Sequence, residues 1–132
     1  MSVRTPLKYP GGKQRIAEWI INQFPEHHSY VEPYFGSGAV LFNKESANIE
    51  TVNDLDDRVI NLFECIKEDA EKLASIIELT PYSRKIYDLS YTKQCTDKFD
   101  MAAQFLIKSW QGHGFRSNEY KVGWRNDVQG RE

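Results

Sequence analysis

The chain has 132 residues, a formal net charge of −2, and 40% hydrophobic and 13% aromatic residues. That length suits one modest domain, and that apolar content excludes wholesale disorder. No apolar run approaches the roughly 20 residues of a membrane span, and two cysteines without metal-like spacing or a secretory signal point to a soluble, cytoplasmic chain.

Charge is unevenly spread. Residues 1–78 carry 8 Lys/Arg against 13 Asp/Glu, whereas residues 79–132 carry 9 against 6. An acidic front and a basic, aromatic back suit a protein that meets an anionic polymer through its C-terminal part. An ordinary solvated face explains the same numbers.

The first feature along the chain is Pro6-Leu7-Lys8-Tyr9-Pro10-Gly11-Gly12-Lys13. Its prolines and paired glycines forbid regular structure and define a loop. Lys13–Phe24 reads as a helix with Ile16, Ile20 and Phe24 on one face and Trp19 beside them, stopped by Pro25. His27-His28 reads as a polar turn, because no third ligand has metal-binding spacing.

Tyr30–Phe42 carries the strongest local pattern. A short apolar run ends at Glu32, Gly36 and Gly38 follow two positions apart, and Ala39–Asn43 or Lys44 then forms a short helix. This is the grammar of a strand, a tight turn and a helix start, whose unpaired N–H groups suit the polar part of a nucleotide-like cofactor. Plain connections share this pattern. Ile49–Asn53 reads as a second strand ending at Asp54, 16 residues beyond Gly38, where an acid accepts ribose hydroxyls in nucleotide-binding βαβ units. Asp54 or Asp56 also caps the next helix, and both roles are compatible.

That helix is expected over about Asp57–Lys67, with Val59, Phe63 and Ile66 on one face and Ile60 filling the stripe. Cys65 falls in its apolar register as a small core residue. Ala70–Leu79 continues as another helix, bearing Leu73, Ile76 and Ile77. After Pro81, Tyr82, Ile86 and Leu89 mark a helical segment to about Tyr91, and Lys93–Lys98 is a polar connection that leaves Cys95 exposed. A stronger helix begins near Asp97 and runs through Met101, Ala102, Phe105, Leu106 and Trp110 to Gly112-His113-Gly114. The tail 115–132 has no period. Its Arg116, Asn118, Tyr120, Lys121, Trp124, Arg125 and Asn126 interleave cations, aromatics and amides, as a phosphate- and base-contacting surface does. A polar hairpin plugging a small core has the same composition.

Taken together, Lys8–Lys13, Glu32-Pro33-Tyr34-Phe35-Gly36-Ser37-Gly38 and Asn53-Asp54 closely resemble the N-terminal part of Dam-type DNA adenine-N6 methyltransferases. The resemblance is strong over residues 6–65 and looser over 97–127, where Phe105–Asn118 looks like the family's approach to its DNA-contacting region. It implies an α/β, Rossmann-like fold using S-adenosylmethionine, incomplete here, with a helical insertion leading to DNA recognition. Residues 1–78 form the cofactor-binding part and 79–132 the helical segment and the start of the recognition region.

By the same resemblance Tyr9, Pro10, Gly11, Gly12 and Lys13 close the cofactor site. Glu32, Pro33, Phe35, Gly36 and Gly38 lie under the methionine and ribose portions, with Glu32 facing the ammonium. Asp54 binds the ribose diol, a task for which a carboxylate acceptor is suited. Arg116, Asn118, Lys121 and Arg125 are the expected DNA contacts. The dehydrogenase fingerprint fails, because its third glycine position holds Leu41.

The family's Asp-Pro-Pro-Tyr motif, which grips the target amine of a flipped adenine, does not occur in these residues. The expectation is a front portion of a methyltransferase that binds cofactor yet is inactive by itself. Its shortened sheet invites self-association or a complementing polypeptide. Two alternatives share the composition: a non-catalytic DNA-binding or regulatory module that keeps the fold, and a fragment acting on RNA.

Overall fold

A computed structural model describes residues 2–126. The elements are, in chain order, α1 (Ala17–Ile21), β1 (Ser29–Glu32), α2 (Ala39–Asn43), β2 (Ile49–Val52), α3 (Asp57–Glu78), α4 (Arg84–Thr92) and α5 (Lys98–Gln111). Among the described residues the sheet has two strands, β1 and β2, paired in parallel from Ser29↔Ile49 to Glu32↔Val52. The parallel pairing requires a crossover, which the glycine turn and α2 supply. The pairing is extended past the strand ends, where Asn53 N–H donates to the Glu32 carbonyl and Phe35 N–H to the Asn53 carbonyl, both at 2.9 Å. Among the described residues no helix is long and apolar enough to cross a membrane.

The core lies away from the sheet. α3 packs most extensively on α5, and α5 also receives α4. Val59, Leu62, Cys65 and Leu73 face Phe99, Ala102, Phe105 and Leu106 in one apolar cluster. The small Ala102 and Ala103 let the two helices approach closely. Strand β2, by contrast, is exposed throughout, with Ile49 and Val52 in solvent.

Helix starts are set by side-chain chemistry. Asp56 caps α3 by accepting from Arg58 N–H, Ser83 caps α4 by accepting from Ile86 N–H, and Asp97 caps α5 by accepting from Phe99 and Asp100 N–H. The two helices expected over residues 57–67 and 70–79 meet at Asp69, whose non-helical φ of −157° kinks α3. The Asp69 carboxylate accepts from Lys72 N–H and restarts the helix. Cys65 is fully buried, and Cys95 is half-buried rather than exposed.

Three expectations are met only in part. α1 spans five residues rather than twelve, because its N-cap Ile16 offers no side-chain acceptor and turns occupy the flanks. Its predicted apolar face is only partly covered: Ile20 and Phe24 are half-buried, Ile16 and Trp19 are exposed, and Ala17 is buried. In α3 the innermost stripe is Val59, Leu62 and Cys65, with Phe63 and Ile66 flanking it. In α4 the buried residues are Tyr87 and Ser90, while Tyr82 and Leu89 remain exposed.

Tyr87 is inside because its hydroxyl has a partner, the Val122 carbonyl at 2.5 Å. This bond ties the C-terminal segment to α4. The segment leaves at Gly112 and returns antiparallel at Trp124, with His113 N–H on the Gly123 carbonyl and Arg125 N–H on the Gln111 carbonyl. The alternative reading as a hairpin is met only at its base, by one antiparallel bridge, and Tyr120 stands exposed rather than in a core. Asn126 ends the described residues.

Gly38 holds the turn between β1 and α2. Its φ is +74°, and an added Cβ would stand 2.5 Å from the Phe35 ring and 2.6 Å from the Phe42 ring. Gly11 has a similar φ of +76° but open space around it. We expect Gly38→Ala to cost about 2–4 kcal/mol, combining left-handed strain with overpacking. Gly11→Ala should cost only about 1 kcal/mol of strain. Urea midpoints at constant slope measure both, and equal losses would contradict the packing argument.

Candidate cofactor cleft

The carboxyl ends of β1 and β2 face the loop 9–13, and a cleft of about 270 Å³ lies between them. Its wall includes Tyr9, Gly11, Lys13, Glu32, Gly36 and Asp54. Pro10, Gly12 and Phe35 line it as well, so nine of the eleven cofactor residues expected from sequence share one cavity. Pro33 and Gly38 lie outside that lining, and the contribution of Gly38 is the turn itself. Ser37, Tyr34, Ala39 and Val40 complete the cleft and were not singled out. Their place around the two glycines was the available signal.

Each acid in the cleft already has work. Asp54 accepts from Gly36 N–H at 2.8 Å with one oxygen and from Asp56 N–H at 2.9 Å with the other. A carboxylate has about four acceptor sites, so Asp54 keeps capacity for further donors. Glu32 accepts from the Tyr30 hydroxyl at 3.0 Å. Burial raises its pKa above the usual carboxylate value, while Tyr30, Lys13, Leu41 and Lys44 oppose that shift. Of the amides expected at the helix start, Gly38 N–H goes to the Phe35 carbonyl, whereas Ala39 and Val40 line the cleft. Asp54 and Glu32 are the acidic recognition groups of the cleft, beside the first residues of α2.

Tyr9 links the loop to the turn. Its carbonyl accepts from Gly12 N–H at 2.9 Å, and its ring lies against Gly36, where a Cβ would meet it at 3.3 Å. The ring also stacks near Phe105 and tilts against Phe115. The hydroxyl donates to Asp56 at 3.0 Å. Burial, and then this bond to Asp56, push its pKa up to about 12, so it stays a donor at neutral pH.

Asp56 in turn engages Arg58, an arginine that the sequence reading missed. Arg58 Nε and Nη2 donate to the two Asp56 oxygens at 2.8 and 2.7 Å. A cation in the first turn of a helix opposes the macrodipole. Finding Arg58 directly after two aspartates was therefore the signal that it has a dedicated carboxylate. Burial alone would raise the Asp56 pKa, but the Arg58 and Tyr9 contacts together hold it below the usual range.

The expected DNA contacts are dispersed. Arg116 and Asn118 are exposed on the excursion, with Asn118 accepting from Tyr120 N–H at 3.3 Å. Lys121 pairs with Asp88 of α4. Arg125 lines a second groove of about 560 Å³, which borders the cleft through Tyr9, Pro10, Gly12 and Ser37. Glu119, between these residues, has φ +66°, a left-handed conformation that costs a non-glycine residue about 1–2 kcal/mol. It pairs with Arg58 and with Lys108, the latter at 3.1 Å.

Parallel strands whose carboxyl ends meet a glycine turn and an acid define a mixed α/β protein with a cleft at those ends. Comparison with known proteins gives the particular family. Residues 9–109 match the D12 class N6 adenine-specific DNA methyltransferases, and the chain belongs to that family. It is 28% identical over 110 residues to the DNA N-6-adenine-methyltransferase of Escherichia phage P1, covering 79% of this chain and 14% of that protein. It is 26% identical over 130 residues to the type II methyltransferase M.MjaIII of Methanocaldococcus jannaschii, covering 81% and 45%. A DNA adenine methylase of Vibrio cholerae is 31% identical over 68 residues, 52% of this chain and 24% of its own length. The chain thus spans less than half the length of each of these relatives.

We expect Asp56→Asn to lower stability by about 1–3 kcal/mol near neutral pH, since it weakens a carboxylate with four protein donors. The Asp56 pKa is depressed in the folded state, so its contribution is present above the ordinary aspartate value and is lost as pH falls through the folded value. Denaturation profiles taken into the acid range should therefore fall less steeply for the variant. Parallel profiles would contradict the pairing.

Proposed function

We propose that this chain forms the S-adenosylmethionine-binding part of a DNA adenine-N6 methyltransferase, on an incomplete Rossmann-like fold. The observation that carries the reading is the convergence of Tyr9, Lys13, Glu32, Gly36 and Asp54 on one cleft at the carboxyl ends of parallel strands. Ligands of open α/β sheets bind at that end.

The cleft suits the group. Its two acids complement a ribose diol and an ammonium, and the ring of Tyr9 and the apolar Phe35 and Val40 offer surface to the rest. At about 270 Å³ it is slightly below the ~300–1,000 Å³ of ordinary ligand sites, so it encloses part of such a molecule. In this reading Asp54 holds the ribose hydroxyls, Glu32 the methionine ammonium, and the loop 9–13 covers the ligand. When bound, S-adenosylmethionine supplies an electrophilic methyl group on a sulfonium sulfur. No Asp-Pro-Pro-Tyr occurs in the sequence, and we assign the grip on the target amine to no residue of this chain. By itself the 132-residue polypeptide binds cofactor and transfers no methyl group to DNA. Arg116, Asn118, Lys121 and Arg125 serve DNA in this reading, and the two open sheet edges receive further strands or a second copy.

Calorimetric titration with S-adenosylmethionine tests the proposal. We expect micromolar binding, weakened at least about tenfold by Asp54→Asn, which is about 1.4 kcal/mol. Circular dichroism confirms that the variant folds. Undiminished binding by a folded Asp54→Asn would contradict the assignment. Turnover on adenine-containing DNA by this polypeptide would contradict its inactivity.

Binding should also depend on pH through Glu32. Burial raises its pKa above the ordinary carboxylate value, and a bound cation favours the ionised form. Affinity should rise as pH rises through that value and then level off, with proton release on binding. Glu32→Gln should abolish the slope. A persisting slope would remove Glu32 from the role.

A further inference from the structure

Arg58 touches both the cofactor cleft and the segment expected to meet DNA. On the cleft side its guanidinium forks onto Asp56, whose Oδ2 also accepts from Tyr9 and whose N–H donates to Asp54. On the other side Nη2 donates to the Ser117 carbonyl at 2.9 Å, and Nη1 pairs with Glu119. The guanidinium lies 4.8 Å from the centre of the Phe105 ring and 5.6 Å from that of Phe115. A rigid planar fork with five donors spans these acceptors as a lysine cannot.

The loop end of this bridge is strained. Glu119 keeps its φ of +66° while Arg58 and Lys108 hold its carboxylate. Such outliers persist where the surroundings over-determine them.

We propose that Arg58 is a positioning residue that couples the cofactor cleft to residues 115–121, so that a ligand held by Asp54 and Tyr9 fixes the loop carrying Arg116 and Asn118. This rests on the cofactor-cleft reading above. A ligand donating to Asp54 and lying on Tyr9 immobilises two of the partners of Asp56, and Asp56 orients Arg58. The ordering of the loop then accompanies cofactor binding, and DNA meets a loop already fixed. Reciprocity requires DNA to tighten cofactor binding by the same factor.

The test uses the 132-residue chain, a fluorescein-labelled DNA duplex and the unreactive S-adenosylhomocysteine. Anisotropy titrations at fixed salt give DNA affinity with and without saturating cofactor product. We expect at least about a fivefold gain in the wild type. It should fall below about twofold in Arg58→Lys and Glu119→Gln, with Glu119→Gln leaving cofactor affinity in the absence of DNA unchanged. A full gain in both variants, or no gain in a wild type that binds the cofactor product, overturns the coupling. A wild type that binds no cofactor product overturns instead the reading of the cleft. A ligand-free arm then still decides the coupling, through hydrogen exchange at residues 116–121 in Tyr9→Phe, which deletes the bond to Asp56. Exchange should accelerate at least about fivefold, a change that reaches across the bridge. Unchanged exchange overturns the proposal.

Discussion

The carboxylate of Asp54 is the constraint on which this structure turns. Its two oxygens accept from Gly36 and Asp56, one amide in the glycine turn and one at the entry to α3. A single side chain thereby locks the end of β1 to the end of β2 and sets where the longest helix begins. The bond is possible because Gly36 adopts φ +52° and turns its amide towards the second strand. The cleft is therefore ordered without a large sheet: β2 is exposed throughout, yet the ends of both strands are held in place.

The core then supports this corner from behind. α3 and α5 bury Val59, Leu62, Phe99 and Phe105 between them, and Phe105 also packs against the ring of Tyr9. The apolar cluster and the polar chain from Asp54 through Asp56 to Arg58 meet at Tyr9 and Phe105. Cleft geometry is coupled in this way to packing as well as to hydrogen bonds. The C-terminal excursion is attached at its base by Tyr87 and along its length by Arg58, Lys108 and Asp88.

Local chemistry made much of this legible. The strand ends at Glu32 and Val52, one residue before the expected Asn53, the short helix after Gly38, the caps at Asp56 and Asp97, and the break near Asp69 all depend on residues within a few positions. The loop 9–13 and the acids joined one cleft because three motifs, each ambiguous by itself, occur in a known order. The orientation of helix faces was less legible. A period of 3.6 locates a stripe, but the partner helix selects its centre, which is why Leu62 and Cys65 lie innermost in α3 and Tyr87 replaces Leu89 in α4. Arg58 and Glu119 are 61 positions apart, and no periodicity connects them. Lys121, read as a phosphate contact, is paired with Asp88 across 33 positions for the same reason.

The most direct test of the account is a titration of isotopically labelled protein with S-adenosylmethionine, monitored by two-dimensional NMR of the backbone amides. The account predicts that the largest shifts fall on Gly11, Gly12, Gly36 and Asp54, the amides around the cleft. Shifts confined to α4, or none at all at saturating ligand, would contradict it.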